Sequence, residues 1–592
     1  MLKQGSYVYA PKITQAVPAH HSHPGRESHV YARKYIRTDG PVLFPLWCGQ
    51  LFSARPSTTA LRKRPHCFLV SPARTAPQFS PATGHYDCLK HTTVYPSAGV
   101  LRKCRRRAGG RKMTVLAIGP EQTLLVKAAR LWRGSPEPPE KDALVCLHRG
   151  RVAAVFTGTA GMQVDQTALW GDDAVRLTDI MRRILTDTKT TGREDGPIPL
   201  PGQPDTAHRH PFTCVPAGDG QRQPPPCRTI APRLFPPGCS CTGTGAVRVL
   251  ELPGCMLMPG LVDCHVHLAL DGRDFNASRE RWNDRAGVQE LIGANLSAAL
   301  ERGITAVRDG GDLALAGLAA RDTVAAGRPP GPLVLASGHA LRRRGEYGSF
   351  LGPGLTPAEL ETAVDRLAGR GVDQIKVLVS GLVSFREYRR VGGPQFSAGE
   401  LERIVNCAHS RGLKVMAHAS GDEAVRLAVE AGADSIEHGY FVRRETLVQM
   451  AARGIPWVPT VVPVACQLQE GFCAQYSPAE KEVIRQTYRR QLQQIGLARQ
   501  LGVMLGVGTD AGAGGVPHGR GYLDELLLYR EAGLTPPETL LAATVNGAAI
   551  LGAENVPGTI APGKPARLIA VRGDPWRDTG ALADVRYVII AR

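Results

Sequence analysis

Residues 261–267 read LVDCHVH, a short run that ends in two histidines separated by one residue. Its apolar residues favour a buried β-strand, and side chains two positions apart on a strand point to the same face. His265 and His267 are therefore predicted to project side by side from the end of a strand. This run is the first of a series that decides the fold.

Seven further β-rich runs follow, and most of the stretches between them have the apolar spacing of amphipathic helices. One such helix is predicted to begin after the capping residue Ser397 and to close at Gly412. The runs are TAVRDGG (305–311), PLVLASG (332–338), QIKVLVS (374–380), KVMAHA (414–419), SIEHG (435–439), PWVPT (456–460) and MLGVGTD (504–510). Eight β-α units over about 290 residues predict an α/β protein with a (β/α)8 TIM barrel at residues 261–552.

Shorter β-rich runs flank the barrel and predict a second, smaller unit. They lie at 113–156, at 246–260 and in the tail 553–592, separated by turn residues. We expect a small β-sandwich-like domain built from segments before and after the barrel. The stretch 157–245 interrupts it and has 12 prolines in residues 197–238, so it is predicted to be a disordered insertion.

The positive charge of the chain is concentrated at its start. The 592 residues include 72 Lys and Arg against 53 Asp and Glu, and residues 1–112 hold 19 of the basic and three of the acidic ones. This leader has no helix or strand periodicity and is predicted to be a basic, disordered extension. The composition of the leader is also compatible with a signal that targets the protein to an organelle. Aromatic residues are not interleaved with its arginines, so we do not expect a nucleic-acid partner.

Cysteine usage and hydropathy indicate the compartment. The 14 cysteines contain neither a paired C-x2-C zinc motif nor a disulfide framework. Reduced thiols and the lack of a secretory signal predict a cytoplasmic protein. No apolar run approaches the ~18 residues of a membrane span, so no membrane partner is expected. Barrels of this kind often associate, so a homo-oligomer is one of the expected states of the protein.

Six ionisable residues lie on or at the ends of the predicted barrel strands. They are His265, His267, Lys376, His418, His438 and Asp510. Catalytic groups of TIM barrels lie at the C-terminal ends of the strands, so these side chains are predicted to meet at one mouth. Imidazole nitrogens and a carboxylate are ligands that a divalent metal accepts. Lys376 is the unusual member, since a cation inside an apolar run is costly to bury.

Seven segments resemble motifs of one enzyme superfamily. They are MPGLVDCHVHL (258–268), TAVRDGG (305–311), QIKVLVSG (374–381), VMAHASG (415–421), SIEHG (435–439), GVGTDAG (506–512) and IAPGKPA (560–566). They are similar to the metal-dependent amidohydrolase superfamily. The QIKVLVSG segment points to its imidazolonepropionase-like and Xaa-Pro dipeptidase-like branch.

This resemblance implies a binuclear metal-dependent amidohydrolase that acts on C–N bonds, peptide bonds included, and holds two divalent metal ions, normally Zn2+. It assigns the ligands in three groups: for one ion His265, His267 and Asp510, for the other His418 and His438, and between them Lys376 carbamylated by CO2. A metal-bridging hydroxide would attack the amide carbonyl. Asp510 would accept the proton and pass it to the leaving nitrogen.

The segments after strands 3 and 4 supply the candidate substrate-binding residues. His339 is a candidate catalytic group that polarises the scissile carbonyl. An arginine fork would clamp a carboxylate, which predicts a small carboxylate-bearing substrate such as a dipeptide or N-acyl amino acid. Ordinary solvated charge is the alternative for each arginine. The substrate-binding candidates are Arg342, Arg344, Tyr347, Arg386, Tyr388 and, beyond Asp510, His518.

Two other functions fit parts of the pattern. A mononuclear cyclic-amide hydrolase or deaminase of the imidazolonepropionase type would use the histidines and Asp510 but has no need of Lys376. A nucleic-acid-binding protein would use the basic leader and a vestigial barrel. The complete set of six metal-site residues argues against the second alternative.

Overall fold

The structure is a computed structural model that describes residues 113–119, 122–157, 161–164, 214–216, 228–229, 248–327, 331–554, 556 and 558–591. The predicted leader (1–112) and most of the predicted insertion (157–245) lie outside the described residues. Within the described part, every helix is too short or too polar to cross a membrane.

The strands fall into a large sheet and a series of parallel strands. In chain order they are β1 (Thr114–Ile118), β2 (Thr123–Leu131), β3 (Glu140–His148), β4 (Arg151–Thr157), β5 (Gly161–Val164), β6 (Cys214–Pro216), β7 (Arg228–Thr229), β8 (Arg248–Pro259), β9 (Leu261–Val266), β10 (Ile304–Asp309), β11 (Leu333–Ala336), β12 (Ala340–Arg343), β13 (Gly354–Leu355), β14 (Gln374–Leu378), β15 (Lys414–Ala419), β16 (Ser435–His438), β17 (Trp457–Val458), β18 (Arg567–Arg572) and β19 (Val585–Ala591).

The helices lie between and after the parallel strands. They are α1 (Phe275–Glu280), α2 (Arg285–Leu300), α3 (Ala316–Ala325), α4 (Leu360–Gly369), α5 (Ala398–His409), α6 (Asp422–Ala431), α7 (Arg444–Arg453), α8 (Val462–Ala465), α9 (Pro478–Leu501), α10 (Arg520–Glu531), α11 (Pro536–Leu541) and α12 (Gly547–Leu551). A π-helical turn, Ala542–Asn546, joins α11 to α12.

The large sheet combines strands from before and after the parallel series. Its order is β5-β4-β3-β2-β8-β18-β19-β1-β6, and β7 also pairs with β8. Strand β8 pairs parallel with β2 and antiparallel with β18. Its apolar cluster includes Val126, Val145, Leu257, Leu568 and Ile589. All three sequence segments assigned to the small β domain therefore contribute strands to one sheet.

The parallel strands follow one another in chain order. β9, β10 and β11 pair in turn, as do β12, β14, β15, β16 and β17. The N–H of Asp373 donates to Ala336 O (2.9 Å) where the two groups meet. Segment 504–511 joins β17 to β9, since Trp457 N–H donates to Met504 O and Asp510 N–H to His265 O. These bonds link the eighth predicted strand to both of its neighbours, as in a TIM-barrel-type fold.

Helix α5 illustrates why the intervening segments are helical. The Ser397 hydroxyl accepts from the N–H of Glu400, and the Glu400 carboxylate reaches back to the N–H of Ser397. This capping box satisfies N–H groups that the first turn leaves free. Leu401, Ile404 and Val405 form the buried side. The helix predicted from the Ser397 cap is confirmed.

Gly260 connects the large sheet to the parallel strands. It lies between β8 and β9, and its N–H donates to Arg567 O (2.9 Å). A Cβ at this position would overlap the Thr305 side chain, with only 2.7 Å to Thr305 Cβ. Thr305 is itself buried on β10. The connection therefore requires glycine for its lack of a side chain.

We expect Gly260→Ala to lower the free energy of unfolding by about 2 kcal/mol, because overpacking a buried site costs ~1–3 kcal/mol. The measurement is the urea midpoint followed by circular dichroism. Gly293→Ala in α2 is the control, since a Cβ there meets nothing within 4 Å. That variant is expected to gain about 0.5–1 kcal/mol from helix propensity. Equal midpoints for the two variants would contradict the close contact at Gly260.

Candidate metal centre

His265, on β9, and His267, directly after it, meet Asp510 at the C-terminal ends of the parallel strands. His265 Nε2 lies 3.5 Å and His267 Nε2 lies 3.4 Å from Asp510 Oδ1. One donor atom from each of the three residues lies within 4.8 Å of the other two. Such a group of two imidazoles and a carboxylate can hold one divalent metal ion.

Lys376 lies beside this group on β14. Its side chain is buried, and Nζ is 3.2 Å from His265 Nε2. Burial lowers the pKa of the amine to about 8, although the carboxylates of Glu437 and Asp510 act in the opposite direction. The amine is thus much easier to deprotonate than an exposed lysine.

His418 and His438 complete the set from β15 and β16. Their ring centroids are 4.4 Å apart, and that of His438 is 5.0 Å from that of His265. Burial lowers the pKa of His418 to about 3 and that of His438 well below its usual value. Both imidazoles are therefore neutral, which is the form that binds metals. The structure brings together all six groups predicted to form the metal site.

Three residues at this site have a strained backbone. His438, Thr460 and Asp510 have φ values of 71°, 51° and 53°, in the left-handed region. Residues other than glycine pay about 1–2 kcal/mol for this conformation, and a β-branched threonine adopts it rarely. His438 Nδ1 is 2.7 Å from Thr460 Oγ1, so two of the strained residues support each other. Strain of this kind clusters at functional sites.

Glu437 positions His265, a role that the sequence interpretation missed. Its Oε2 lies 2.9 Å from His265 Nδ1, while Oε1 accepts from Arg308 Nη2 (2.7 Å) and Ser435 Oγ (2.7 Å). The charged side chains of Glu437 and Arg308 are both buried. When Nδ1–H donates to Glu437, Nε2 keeps its lone pair for a metal. The available signal was a charged residue inside a short apolar run, as at Lys376.

Two buried aspartates hold the ends of the strands. Asp263 accepts from the N–H and the hydroxyl of Thr509 (3.0 and 2.7 Å). Asp309 accepts from Leu268 N–H and Gly311 N–H (2.8 and 3.0 Å). Burial raises the pKa of each carboxyl to about 7. These bonds fix the backbone on both sides of the H-x-H pair.

Of the candidate substrate residues, Tyr347 lies against the histidines. Its ring centroid is 5.7 Å from that of His418. Burial, with a smaller contribution from the Asp510 carboxylate, raises the pKa of its phenol. His518 is buried, with Nε2 2.9 Å from Leu270 O, and burial lowers its pKa to about 4.

The candidate arginines have other contacts. Arg342 is buried and donates to three backbone carbonyls of its own loop. Arg344 pairs with Glu359 at 3.2 Å. The Arg386 side chain is 90% exposed and lies 3.7 Å from Glu480. Arg344 and Arg386 could therefore still bind a substrate carboxylate. The Arg342 guanidinium instead holds the backbone of its own loop.

His339 and Tyr388 lie apart from the six groups. His339 is half-buried, and its Nε2 is 3.1 Å from Leu313 O. Burial lowers its pKa. Tyr388 packs edge-to-face on Phe441 with 5.8 Å between the ring centroids.

We expect Glu437→Gln to weaken divalent metal binding about 10–100-fold, because an amide cannot orient His265 and neutralise Arg308 together. Titration of the metal-free protein with Zn2+ against a chelating dye measures the affinity. Glu430→Gln on α6 is the matched control, since Glu430 pairs with Arg426 at the surface. Unchanged affinity in Glu437→Gln would mean that His265 does not depend on this carboxylate.

Comparison with known proteins places this site in a family. Ochratoxinase of Aspergillus niger is 28% identical over 366 residues, covering 56% of this chain and 73% of the relative. Imidazolonepropionase of Deinococcus deserti is 32% identical over 186 residues, 31% of this chain and 41% of the relative. A solved structure of an Xaa-Pro dipeptidase with bound methionine has a similar fold, with a TM-score of 0.57 at 22% identity over 79% of this chain and 98% of that one.

A family model provides the assignment. The model of the amidohydrolase family matches residues 256–590. This range contains the parallel strands, all six groups of the candidate metal centre and the last two strands of the large sheet. The superfamily inferred from the motifs is confirmed, and this assignment implies a TIM-barrel-type fold. Because the match covers more than half of its length, the chain belongs to the amidohydrolase family.

Proposed function

We propose that the protein is a binuclear metal-dependent hydrolase of amide C–N bonds in small carboxylate-bearing substrates such as dipeptides or N-acyl amino acids. The observation that carries the proposal is the convergence of four imidazoles, one carboxylate and Lys376 at one end of the parallel strands. The family assignment supports hydrolysis of amide bonds. Relatives named as an ochratoxinase and an Xaa-Pro dipeptidase favour the same reaction class.

The donor set fits divalent metal ions such as Zn2+. Burial lowers the pKa of His267 and His418 to about 3, so that both offer neutral nitrogen. His267 Nδ1 lies 3.1 Å from Gly311 O and His438 Nδ1 lies near Thr460, which leaves the opposite nitrogens available. When bound, the ions would polarise the carbonyl and lower the pKa of water.

Lys376 favours two ions over one. A mononuclear enzyme would leave a buried ammonium facing His265, which is a costly arrangement. In its neutral form the amine would add to CO2 and release a proton, giving a carbamate anion with two oxygens. That anion would lie between the two pairs of histidines. The mononuclear alternative assigns no role to Lys376.

Asp510 would carry the proton. Its Oδ1 faces both His265 and His267, and burial raises the pKa of the carboxyl to about 7. A carboxylate beside the candidate metal ligands is placed to act first as a base and then as an acid. Asp510 would therefore take a proton from the attacking water and pass it to the leaving nitrogen.

We assign the orientation of the scissile carbonyl to Tyr347 rather than His339. The Tyr347 ring packs on His418, and its hydroxyl has no hydrogen-bond partner among the residues that the structure describes. A free phenolic O–H beside the metal ligands can donate to a carbonyl oxygen. The Nε2 of His339 is already 3.1 Å from a backbone carbonyl.

A groove beside the site supports a carboxylate-bearing substrate. Its volume is about 490 Å³, and it is lined by the segments after β14 and β16 and by the start of α6. Gly421, one of the lining residues, is three residues beyond His418. Arg389, Arg443, Phe441, Asp422 and Glu423 are among the residues that line it, and Arg443 lies 3.6 Å from the Asp422 carboxylate. The Arg389 guanidinium would hold a substrate carboxylate there while the amide reaches the candidate metal ligands.

The metal stoichiometry tests the binuclear proposal. We expect two equivalents of Zn2+ per chain in the wild type, and loss of metal and of dipeptide or N-acyl amino acid hydrolysis in Lys376→Ala. Elemental analysis measures the metal, and Lys564→Ala, on an exposed turn, is the control that retains both. One equivalent that Lys376→Ala leaves unchanged would contradict the proposal and favour the mononuclear alternative.

Paired substitutions test the orienting group. Tyr347→Phe removes one hydrogen-bond donor and is expected to lower kcat about 100-fold or more with unchanged metal content. His339→Ala is expected to have a smaller effect. Steady-state kinetics on the same N-acyl amino acid compares the two variants. A larger loss in His339→Ala would return the role to His339.

A further inference from the structure

Exposed apolar side chains concentrate at the end of the parallel strands that carries the metal site. Five large ones stand out among the described residues: Phe275 (41% exposed), Leu313 (40%), Leu382 (51%), Tyr388 (37%) and Val448 (46%). Four of them lie in segments that follow β9, β10 or β14, and Val448 lies on α7. Exposed apolar groups gathered at a concave mouth indicate a ligand-binding surface.

Two of these residues begin a row of side chains that leads inward, which we call the aromatic wall: Phe275, Leu313, Phe350 and Tyr347. The Phe275 and Phe350 rings meet edge-to-face, with 5.1 Å between centroids and 89° between planes. Phe350 and Tyr347 are 6.0 Å apart in the same manner. Tyr347 then lies 5.7 Å from His418. The wall thus connects solvent with a predicted metal ligand.

Contacts between three segments hold the wall in place. The N–H of Leu313 donates to Phe350 O at 2.8 Å, which joins the segments after β10 and β12. Gln395 Nε2 donates to Tyr347 O at 3.2 Å. Phe275 is the first residue of α1, whose start is capped by the Asp274 carboxylate. A surface fixed in this way exists before the substrate binds.

We propose that the aromatic wall binds an aryl or other large apolar group attached to the scissile amide. The inference rests on the proposed function and names the class of substrate. Rings arranged edge-to-face accept a further ring in the same geometry. Covering Phe275 and Leu313 would also remove apolar surface from water. The Arg279 guanidinium lies 5.7 Å from the Phe275 ring at the outer end of the wall.

Matched substrates test this specificity on the full-length protein. One pair is N-acetyl-L-alanine and N-acetyl-L-phenylalanine, and the other is N-acetyl-L-alanine and N-(3-phenylpropionyl)-L-alanine. In at least one pair we expect kcat/KM to be about tenfold or more higher for the aromatic member, as burial of a benzyl group predicts. Phe275→Ala and Phe350→Leu should lower this preference at least fivefold, to roughly the ratio expected without the ring contacts.

Val448→Ala is the control, because Val448 is equally exposed but lies on α7. It should keep both the activity and the preference of the wild type. Equal kcat/KM within both pairs overturns the proposal. A preference that survives in both wall variants, with their folding verified by circular dichroism, overturns it as well.

A ligand pair without an amide separates this inference from the proposed function. Saturation-transfer NMR compares 3-phenylpropionate with propionate on the wild type, the two wall variants and Val448→Ala. We expect a signal for 3-phenylpropionate that both wall variants reduce and Val448→Ala retains. If no amide is hydrolysed, the proposed function fails. The binding pattern then tests by itself whether the aromatic wall binds an aryl group. Equal signals for the two acids overturn the proposal for the aromatic wall. This result is expected if another part of the chain or a second copy covers the wall.

Discussion

The hydrogen bond between His265 and Glu437 is the contact on which the metal centre depends. It spans the interior from β9 to β16, and Arg308 on β10 ties both ends, because its guanidinium donates to Cys264 O as well as to Glu437. Three strands are thus held at one relative height by a single buried network. A shift of any of them would move His265 away from Asp510 and Lys376, and with it the geometry that a metal ion needs.

Such a network couples catalysis to stability. Arg308, Glu437 and Lys376 are all buried, and charges in that setting are tolerated when each has a partner. An apolar interior of the same volume would fold at least as well. The charged interior is therefore best explained by the groups that it positions, and the strained backbone at His438, Thr460 and Asp510 has the same explanation.

The sequence predicted the parts of the site that follow from strand alternation. The H-x-H pair, the lysine within QIKVLVS and the candidate ligands in KVMAHA, SIEHG and MLGVGTD converge because these runs lie side by side in parallel. Glu437 and Arg308 were missed, since their pairing crosses strands that are over a hundred residues apart. The ring contacts of Phe275 and Phe350 were also out of reach, because they depend on loop conformation and carry no periodic signal. Arg342 resembled a substrate clamp, yet its guanidinium is used by its own loop.

The left-handed conformations of His438 and Asp510 have a consequence for the loops that follow them. At each of these two residues, which carry candidate metal-binding side chains, the chain turns sharply. After His438 the turn continues through Gly439, whose φ is 58°. The loop after each turn can therefore change in length or in side chains without displacing the candidate metal-binding residue before it. Changes in the loops at the mouth are thus separated from the six groups at the ends of the strands. Substitutions in the aromatic wall would then leave the candidate metal centre in place. Solved structures of an Xaa-Pro dipeptidase and an ochratoxinase have a similar fold.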